Sequence, residues 1–179
     1  MNSKEVLGSL CGLTSNCLWS PLRLVAVPNT TTIAGWEADL LLLHPSGWVW
    51  EVEIKVSVSD FRREFRTKSH KHKALENGSI VLFRGPRSYP LTIKNRYVQK
   101  FFFAVPYDVY EKLKPEDFPD YAGIIVINSE KVGTYERPIA TVVRRAKNLP
   151  GVEKTGSTFR IRLLELAHGR LWSRGSISE

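Results

Sequence analysis

Acidic side chains and one lysine are concentrated in two short runs that flank a His-Pro-Ser-Gly turn. The run after the turn alternates apolar and polar residues, which predicts a strand with Glu51, Glu53 and Lys55 on one face. By the same rule, Glu37 and Asp39 share a face of the strand before the turn. Carboxylates gathered this closely repel one another and raise one another's pKa, and a hard divalent cation removes that cost. The spacing therefore predicts a binding site for Mg²⁺ or Mn²⁺.

The order of these residues, Asp39 followed at a distance by Glu53-x-Lys55, resembles the signature of the PD-(D/E)XK nuclease superfamily. Ala38 stands where the name-giving proline would be. The resemblance implies that Asp39 and Glu53 bind the metal and that Lys55 positions or activates the attacking water. These three are then the expected catalytic residues of a metal-dependent phosphodiester hydrolysis, in which the metal lowers the pKa of its bound water.

Further groups are candidate ligands around the same metal. A backbone carbonyl near Ile54 is expected as another metal ligand, and Glu37 and Glu51 are candidate outer acidic residues. Glu37 is the better of the two because it shares the face of Asp39. Glu51 is either a third acidic group or a solvated side chain. Glu5 is a candidate for the helical glutamate that some members of the superfamily carry.

A longer resemblance is carried by residues 53–62, 100–106 and 118–126, which are similar to the MmcB-like DNA-repair branch of this superfamily. The similarity extends over roughly residues 22–147. It implies a restriction-endonuclease-like core and a nuclease that acts on DNA in repair, recombination, or phage and mobile-element DNA processing. Two features depart from the family pattern: residues 77–96 resemble an insertion, and Glu51 replaces a usually apolar position.

Length and composition are consistent with one soluble domain. The chain has 179 residues and a net charge of +8, so residues 1–179 are predicted to form a single domain with a frayed tail at 173–179. Positive charge attracts phosphates through counterion release, although it also serves solubility. No apolar run approaches the roughly 18 residues of a membrane helix, and the start lacks a signal-peptide pattern. Cys11 and Cys17 are expected to be reduced, which predicts a cytoplasmic protein without membrane contact.

The helix that follows the motif strand is the predicted DNA-facing element. Its apolar stripe, which should pack on the sheet, consists of Phe61, Phe65, His72 and Leu75. An adjacent face presents the cations that we expect to contact phosphates: Arg62, Arg63, Arg66, His70 and Lys73. A solvated face of an ordinary amphipathic helix remains the alternative. Lys68 lies on the sheet-facing stripe, where it either reaches toward the acidic patch or extends to solvent.

Residues 77–96 are predicted to form a hairpin that mixes cations with aromatic rings. Arg84 and Arg87 are its candidate nucleic-acid contacts, close in sequence to Phe83 and Tyr89. Bases stack on rings while cations follow the backbone, so this composition suits single-stranded or distorted DNA. Packing of the rings back onto the domain is an equally good interpretation.

Periodicity and turn residues predict the remaining elements. We expect a helix over residues 2–17, a strand over 22–27 with a turn at 29–32, the two motif strands, a helix over 60–76 capped by residue 59 or 60, a hairpin pairing 80–83 with 91–93, strands at 101–105 and 123–127 separated by a helical turn at 109–113, and a helix over 158–172. This order, αβββαβ in its core, predicts an α/β fold with a mixed central sheet flanked by helices.

Other classes of function stay open. A catalytically silent DNA-binding module on the same fold would need no metal, and an ordinary α/β domain could carry the motif by chance. The joint presence of Asp39, Glu53 and Lys55 favours the nuclease. These residues do not decide between DNA and RNA, between single-stranded, duplex and branched substrates, or between a monomer and a homodimer.

Overall fold

A computed structural model describes residues 1–11, 24–30, 36–82, 91–132 and 134–175. The elements follow the chain in the order α1 (Ser3–Cys11), β1 (Val25–Thr30), β2 (Ala38–Leu43), β3 (Val49–Ile54), α2 (Val58–Thr67), α3 (Ser69–Asn77), β4 (Ser79–Leu82), β5 (Leu91–Lys94), β6 (Val98–Pro106), α4 (Tyr107–Tyr110), a 3₁₀ turn (Pro115–Asp117), β7 (Gly123–Val132), β8 (Tyr135–Arg144) and α5 (Ser157–Gly175). In the described ranges, none of these helices combines the length and the apolar character that crossing a membrane requires.

Six strands form a mixed central sheet in the order β1-β2-β3-β6-β7-β8. The pairs β3–β6 and β6–β7 are parallel and the other pairs are antiparallel. Central parallel strands are buried on both faces, which explains the continuous apolar run from Phe101 to Val105 in β6. The chain is therefore an α/β protein with a mixed sheet and flanking helices, as the sequence predicts.

The two faces of the sheet are covered by different helices. Val52 and Ile54 of β3 pack with Val6 and Leu10 of α1 on one face. Phe61 of α2 packs with Phe103 on the opposite face, to which the odd-numbered residues of β3 also point. The predicted alternation of β3 is confirmed, because its apolar residues meet α1 while Glu51 and Glu53 lie under α2 and α3.

The single helix predicted over residues 60–76 is wrong. Two helices, α2 and α3, replace it, and Lys68 separates them with φ −116° and ψ 30°. The N-cap is Ser57, whose hydroxyl accepts a hydrogen bond from the Asp60 amide at 3.1 Å, rather than residue 59 or 60. The predicted stop at Asn77-Gly78 is confirmed, since Gly78 ends α3 at φ +77°, a conformation that glycine adopts freely.

Several strand boundaries differ from the prediction. β1 begins at Val25 and includes residues 29 and 30, which were expected in a turn. β6 and β7 are longer than the predicted strands, and β8 was not predicted. β8 contains Pro138 and lies at the edge of the sheet. Proline has no amide hydrogen, but on the open side of an edge strand there is no neighbouring strand to accept that hydrogen bond. The helical turn expected at 109–113 begins earlier, as α4.

The hairpin predicted near residues 80 and 91 is confirmed as a separate two-stranded sheet, in which Ile80 pairs with Ile93. Its turn, with Arg84 and Arg87, lies outside the described residues. The same holds for Cys17, for the end of the helix expected over 2–17, and for residues 176–179 of the expected tail. The last helix is observed, as α5, up to Gly175, so residues 173–175 are helical and not part of a frayed tail as expected.

Candidate functional site

A cavity of about 350 Å³ opens where β3 ends, between α1 and α2. Asp39 reaches it from the start of β2, and Glu53, Ile54 and Lys55 reach it from the end of β3. The two strands are antiparallel, so the end of one lies beside the start of the other, which brings these distant residues together. The wall from the helices consists of Ser3, Lys4, Leu7, Asp60, Arg63, Glu64, Thr67 and Lys68, with Asn29 of β1.

Asp39 is half-buried beside another carboxylate. Its Oδ2 accepts a hydrogen bond from the Ile54 amide at 2.8 Å, which fixes the side chain at the floor of the cavity. Burial, reinforced by the negative charge of Glu53, raises the pKa of Asp39 to about 6. A cation bound in the cavity would lower the pKa of Asp39 and stabilise its ionised carboxylate.

Glu53 is buried and surrounded by ammonium groups. Its Oε1 accepts from Lys55 at 3.0 Å and from Lys68 at 2.6 Å, and its Oε2 accepts from Lys71 at 2.6 Å. Burial alone would raise the pKa of Glu53, but the positive charges of Lys71, Lys55 and Lys68 outweigh it and lower the pKa. Glu53 is therefore ionised even though its side chain is only 1% exposed.

Glu64 of α2 is a second buried carboxylate at the site. Its Oε2 lies 2.9 Å from Lys55 Nζ and 3.3 Å from Lys68 Nζ. Burial opposes ionisation of Glu64, whereas His72, Lys71 and Lys55 favour it and hold its pKa well below the usual range. Burial also opposes the charge of Lys55, but Glu53 and Glu64 outweigh it and raise the pKa of Lys55. Lys55 is thus a fixed cation that donates hydrogen bonds and cannot accept a proton at neutral pH.

Lys71 lies beneath the cavity with no exposed side-chain surface. Its Nζ is 2.7 Å from Glu51 Oε1 and 2.6 Å from Glu53 Oε2. Burial would lower the pKa of Lys71, but Glu51, Glu53 and Glu64 raise it overall. Glu51 is also bound by the indole of Trp36, whose Nε1 donates at 3.0 Å. Glu51 is therefore neither solvated nor at the cavity surface, because it holds Lys71 in the interior.

These seven side chains form one acid–lysine cluster: Asp39, Glu51, Glu53, Glu64, Lys55, Lys68 and Lys71. The cluster contains four carboxyl groups and three amino groups. Asp39, on the cavity side, forms no ion pair within 4 Å with any described side chain, and Lys4 of α1 is a further cation that lines the same cavity. Burial is the main cause of the raised pKa of Asp39, and the negative charge of Glu53 adds to it, while Lys55 and Lys68 oppose the rise only in part.

His72 is a buried helix residue, as its place on the apolar stripe predicts, and it does not line the cavity. Its Nδ1 lies 2.6 Å from the Tyr121 hydroxyl, and its Nε2 lies 3.4 Å from Glu64 Oε1. The imidazole stacks on Phe103, with ring centroids 6.0 Å apart. Through these contacts His72 packs against Glu64 on the side away from the cavity.

The other predicted site residues are placed as follows. Glu37 is exposed just before β2 and does not line the cavity, and Glu5 is exposed and closes a capping box with Asn2. Arg63 lines the cavity and forms an ion pair with Asp60 at 2.8 Å. The remaining cations of α2 and α3 lie away from the carboxylates: Arg62, Arg66 and Lys73 are exposed and His70 is half-buried.

Glu64 and Lys71 are site residues that the sequence reading missed. A signal was present, because residues 61, 64, 65, 68, 71, 72 and 75 recur at helical spacing and the apolar members of that set face the sheet. Charged residues on a sheet-facing stripe require partners in the interior.

The carboxylate oxygens at the cavity are ligands of the type that a hard divalent cation binds. Across the described residues, no three His, Cys, Asp or Glu side chains come together in a group that could hold a metal ion. Mg²⁺, however, keeps several waters and uses one or two carboxylates. Asp39 and Glu53 are such a pair, and Ile54, whose carbonyl is the expected further ligand, lines the same cavity.

Comparison with known proteins gives a structural likeness and no family. No family model and no curated protein matches the chain. A solved structure of a protein of unknown function from Silicibacter pomeroyi is similar with a TM-score of 0.48 and 19% sequence identity, over 86% of this chain and 77% of that chain. A likeness of this size supports no assignment, so the function has to be argued from the cavity itself.

Proposed function

We propose that this protein is a metal-dependent nuclease that hydrolyses DNA phosphodiester bonds in the cytoplasm. The observation that carries the proposal is the meeting of Asp39, Glu53, Ile54 and Lys55 at one cavity, where Asp39 forms no ion pair with a described side chain. A divalent cation would pair with the Asp39 carboxylate, and a phosphodiester could then approach carboxylates that otherwise repel it.

The chain's own residues would divide the work as follows. Asp39, Glu53 and the Ile54 carbonyl would hold Mg²⁺ or Mn²⁺, which lowers the pKa of bound water and stabilises negative charge on the phosphate. Lys55, anchored by Glu53 and Glu64, would donate a hydrogen bond from Nζ to the attacking water or to a phosphate oxygen. Because Lys55 is held protonated, it would orient the water rather than remove its proton.

Basic surface near the cavity supports nucleic acid as the substrate. The net charge is +8, Arg63 and Lys68 line the cavity, and Arg62 and Arg66 are exposed on the same helix. Exposed cations on one anchored helix position a phosphate backbone without reading its sequence. Apart from the hairpin β4–β5 before the last strand, the order helix, three strands, helices, strand is the one expected of a restriction-endonuclease-like core, and we include that fold and the PD-(D/E)XK and MmcB-like resemblance in the proposal.

A second candidate is a DNA-binding module without hydrolysis. One observation favours it: both carboxylate oxygens of Glu53 are bound by lysines. If these lysines hold Glu53 permanently, no metal reaches it, and the basic helices alone would bind DNA.

Cleavage of labelled single-stranded, duplex and branched DNA with Mg²⁺, Mn²⁺ or EDTA separates the two candidates. Wild-type protein should cut only with metal, and Asp39→Asn and Lys55→Met should lose cutting because each removes a group that acts on the water or its metal. Asp108→Asn makes the same chemical change as Asp39→Asn at an exposed position of α4 and should cut normally. Salt-sensitive binding without cutting would favour the binding module, and cutting by both cavity variants would refute the site.

A further inference from the structure

Glu53 has one carboxylate oxygen on the cavity side. Its Oε1 meets Lys55 and Lys68, both of which line the cavity, whereas its Oε2 meets the fully buried Lys71. A carboxylate oxygen offers about two lone-pair positions, and the two ammonium groups fill those of Oε1. A metal ion that binds Glu53 from the cavity must therefore replace one of these two lysines.

The two lysines differ in how firmly they are held. The Lys55 side chain is 6% exposed and lies 3.0 Å and 2.9 Å from two carboxylates, Glu53 and Glu64. The Lys68 side chain is 31% exposed; its contact with Glu53 is short, at 2.6 Å, but its second contact, to Glu64, is longer at 3.3 Å. A partly exposed ammonium group on a flexible stem can return to water at low cost, whereas a buried one cannot.

The backbone conformation at Lys68 allows its side chain to move away from Glu53. Lys68 is the junction between α2 and α3, and its φ and ψ belong to neither helix. Its amide still donates to the Glu64 carbonyl at 2.8 Å, so the main chain stays anchored whichever direction the side chain takes.

We propose that Lys68 is a displaceable internal cation, which occupies the cavity side of Glu53 until a divalent metal ion replaces it. This inference rests on the proposed function, since it concerns the same metal site. It also answers the observation that favoured the binding module, because only one of the three lysines on Glu53 has to move. The released ammonium group remains at the wall of the cavity, where it can meet a phosphate oxygen of the substrate.

Mn²⁺ binding measured by titration calorimetry tests this competition without any cleavage. Lys68→Met removes the competing charge, and we expect Mn²⁺ to bind about tenfold more tightly, the size of one charged hydrogen bond to a partly exposed group. Lys68→Gln should act in the same direction and serves if the methionine variant folds poorly. Lys112→Met removes one positive charge from an exposed position outside the cavity lining and should leave the affinity within about twofold of wild type.

Adding Asp39→Asn to Lys68→Met identifies the site, because the tightened binding should then disappear. Wild-type binding that Lys68→Met leaves unchanged or weakens would overturn the role of Lys68 while the proposed metal site stands. An equal gain in Lys112→Met would also overturn it, since the effect would then be one of net charge. Absence of Mn²⁺ binding in both wild type and Lys68→Met would overturn this inference and the metal-dependent nuclease together.

Discussion

Replacing Lys71 with methionine should be among the most destabilising single changes in this protein. The Lys71 side chain has no exposed surface, and its ammonium group lies within 3.6 Å of oxygens of three carboxylates, Glu51, Glu53 and Glu64. Methionine fills a similar volume but leaves these carboxylates without their central cation. Removing one partner from a buried ion pair costs about 3–5 kcal/mol, a large share of the 5–15 kcal/mol that stabilises a typical domain.

Urea unfolding followed by circular dichroism in EDTA measures this loss. For an m-value near 2 kcal/mol/M, a loss of about 4 kcal/mol lowers the unfolding midpoint by roughly 2 M. Lys112→Met is the matched control, because it removes the same charge from an exposed position and should change the free energy of unfolding by less than about 0.5 kcal/mol.

A double-mutant cycle sharpens the test. Glu51→Gln in the Lys71→Met background removes one of the stranded charges and keeps an oxygen that can accept from the Trp36 indole. Part of the loss should return, with a coupling free energy of about 1–3 kcal/mol. A Lys71→Met loss as small as that of Lys112→Met would refute the packing of this ammonium group among buried carboxylates.

Three other expectations follow from the site and the sheet. The pKa of Asp39 is about 6 in the folded protein, above the ordinary value of 3.8. Protonated Asp39 therefore contributes to the free energy of unfolding in full below pH 3.8, and this contribution is lost as the pH rises through 6. Without metal, Asp39→Asn should therefore be more stable than wild type at pH 8, by at most about 3 kcal/mol for a half-buried group, and the difference should vanish near pH 4 in urea titrations. Gly123→Ala should lower stability by about 1–3 kcal/mol, because the added Cβ would clash with the Phe102 ring, whereas Gly156→Ala meets no atom within 4 Å and should be nearly neutral in the same assay. Arg66→Ala should reduce the salt dependence of DNA binding by roughly one released counterion in fluorescence anisotropy, and an unchanged slope would remove this arginine from the DNA surface.

The strand that carries the site could be predicted because its geometry depends little on context. Side chains of any strand alternate, so the pattern around Glu51, Glu53 and Lys55 places all three on one face wherever the strand lies. The apolar residues of the same strand meet α1, as alternation requires. What alternation cannot give is the burial of the polar face, which depends on the helices that later cover it.

The partners of those carboxylates were harder to predict for a physical reason. Charged residues on a helix are usually solvated, so Glu64 and Lys71 were not expected in the interior. Their burial is tolerable only because each neutralises the other and their neighbours on β3, a property of the assembled protein and not of the helix. The break at Lys68 carries neither glycine nor proline, and β8 contains a proline, so both contradict the usual local signals.

The parallel pairing of β3 with β6 has a consequence for the order of folding. All members of the acid–lysine cluster lie within residues 39–71, so short loops can bring them together early. The strand that shelters the open edge of β3 begins only at Val98, and such distant pairings form slowly. We therefore expect amide protection in β2, β3 and α2 to precede protection in β6 and β7 during refolding, which pulsed hydrogen exchange measures. Until β6 pairs with β3, the charges of the acid–lysine cluster remain hydrated. The free-energy cost of removing their water is then part of the barrier to the later folding step.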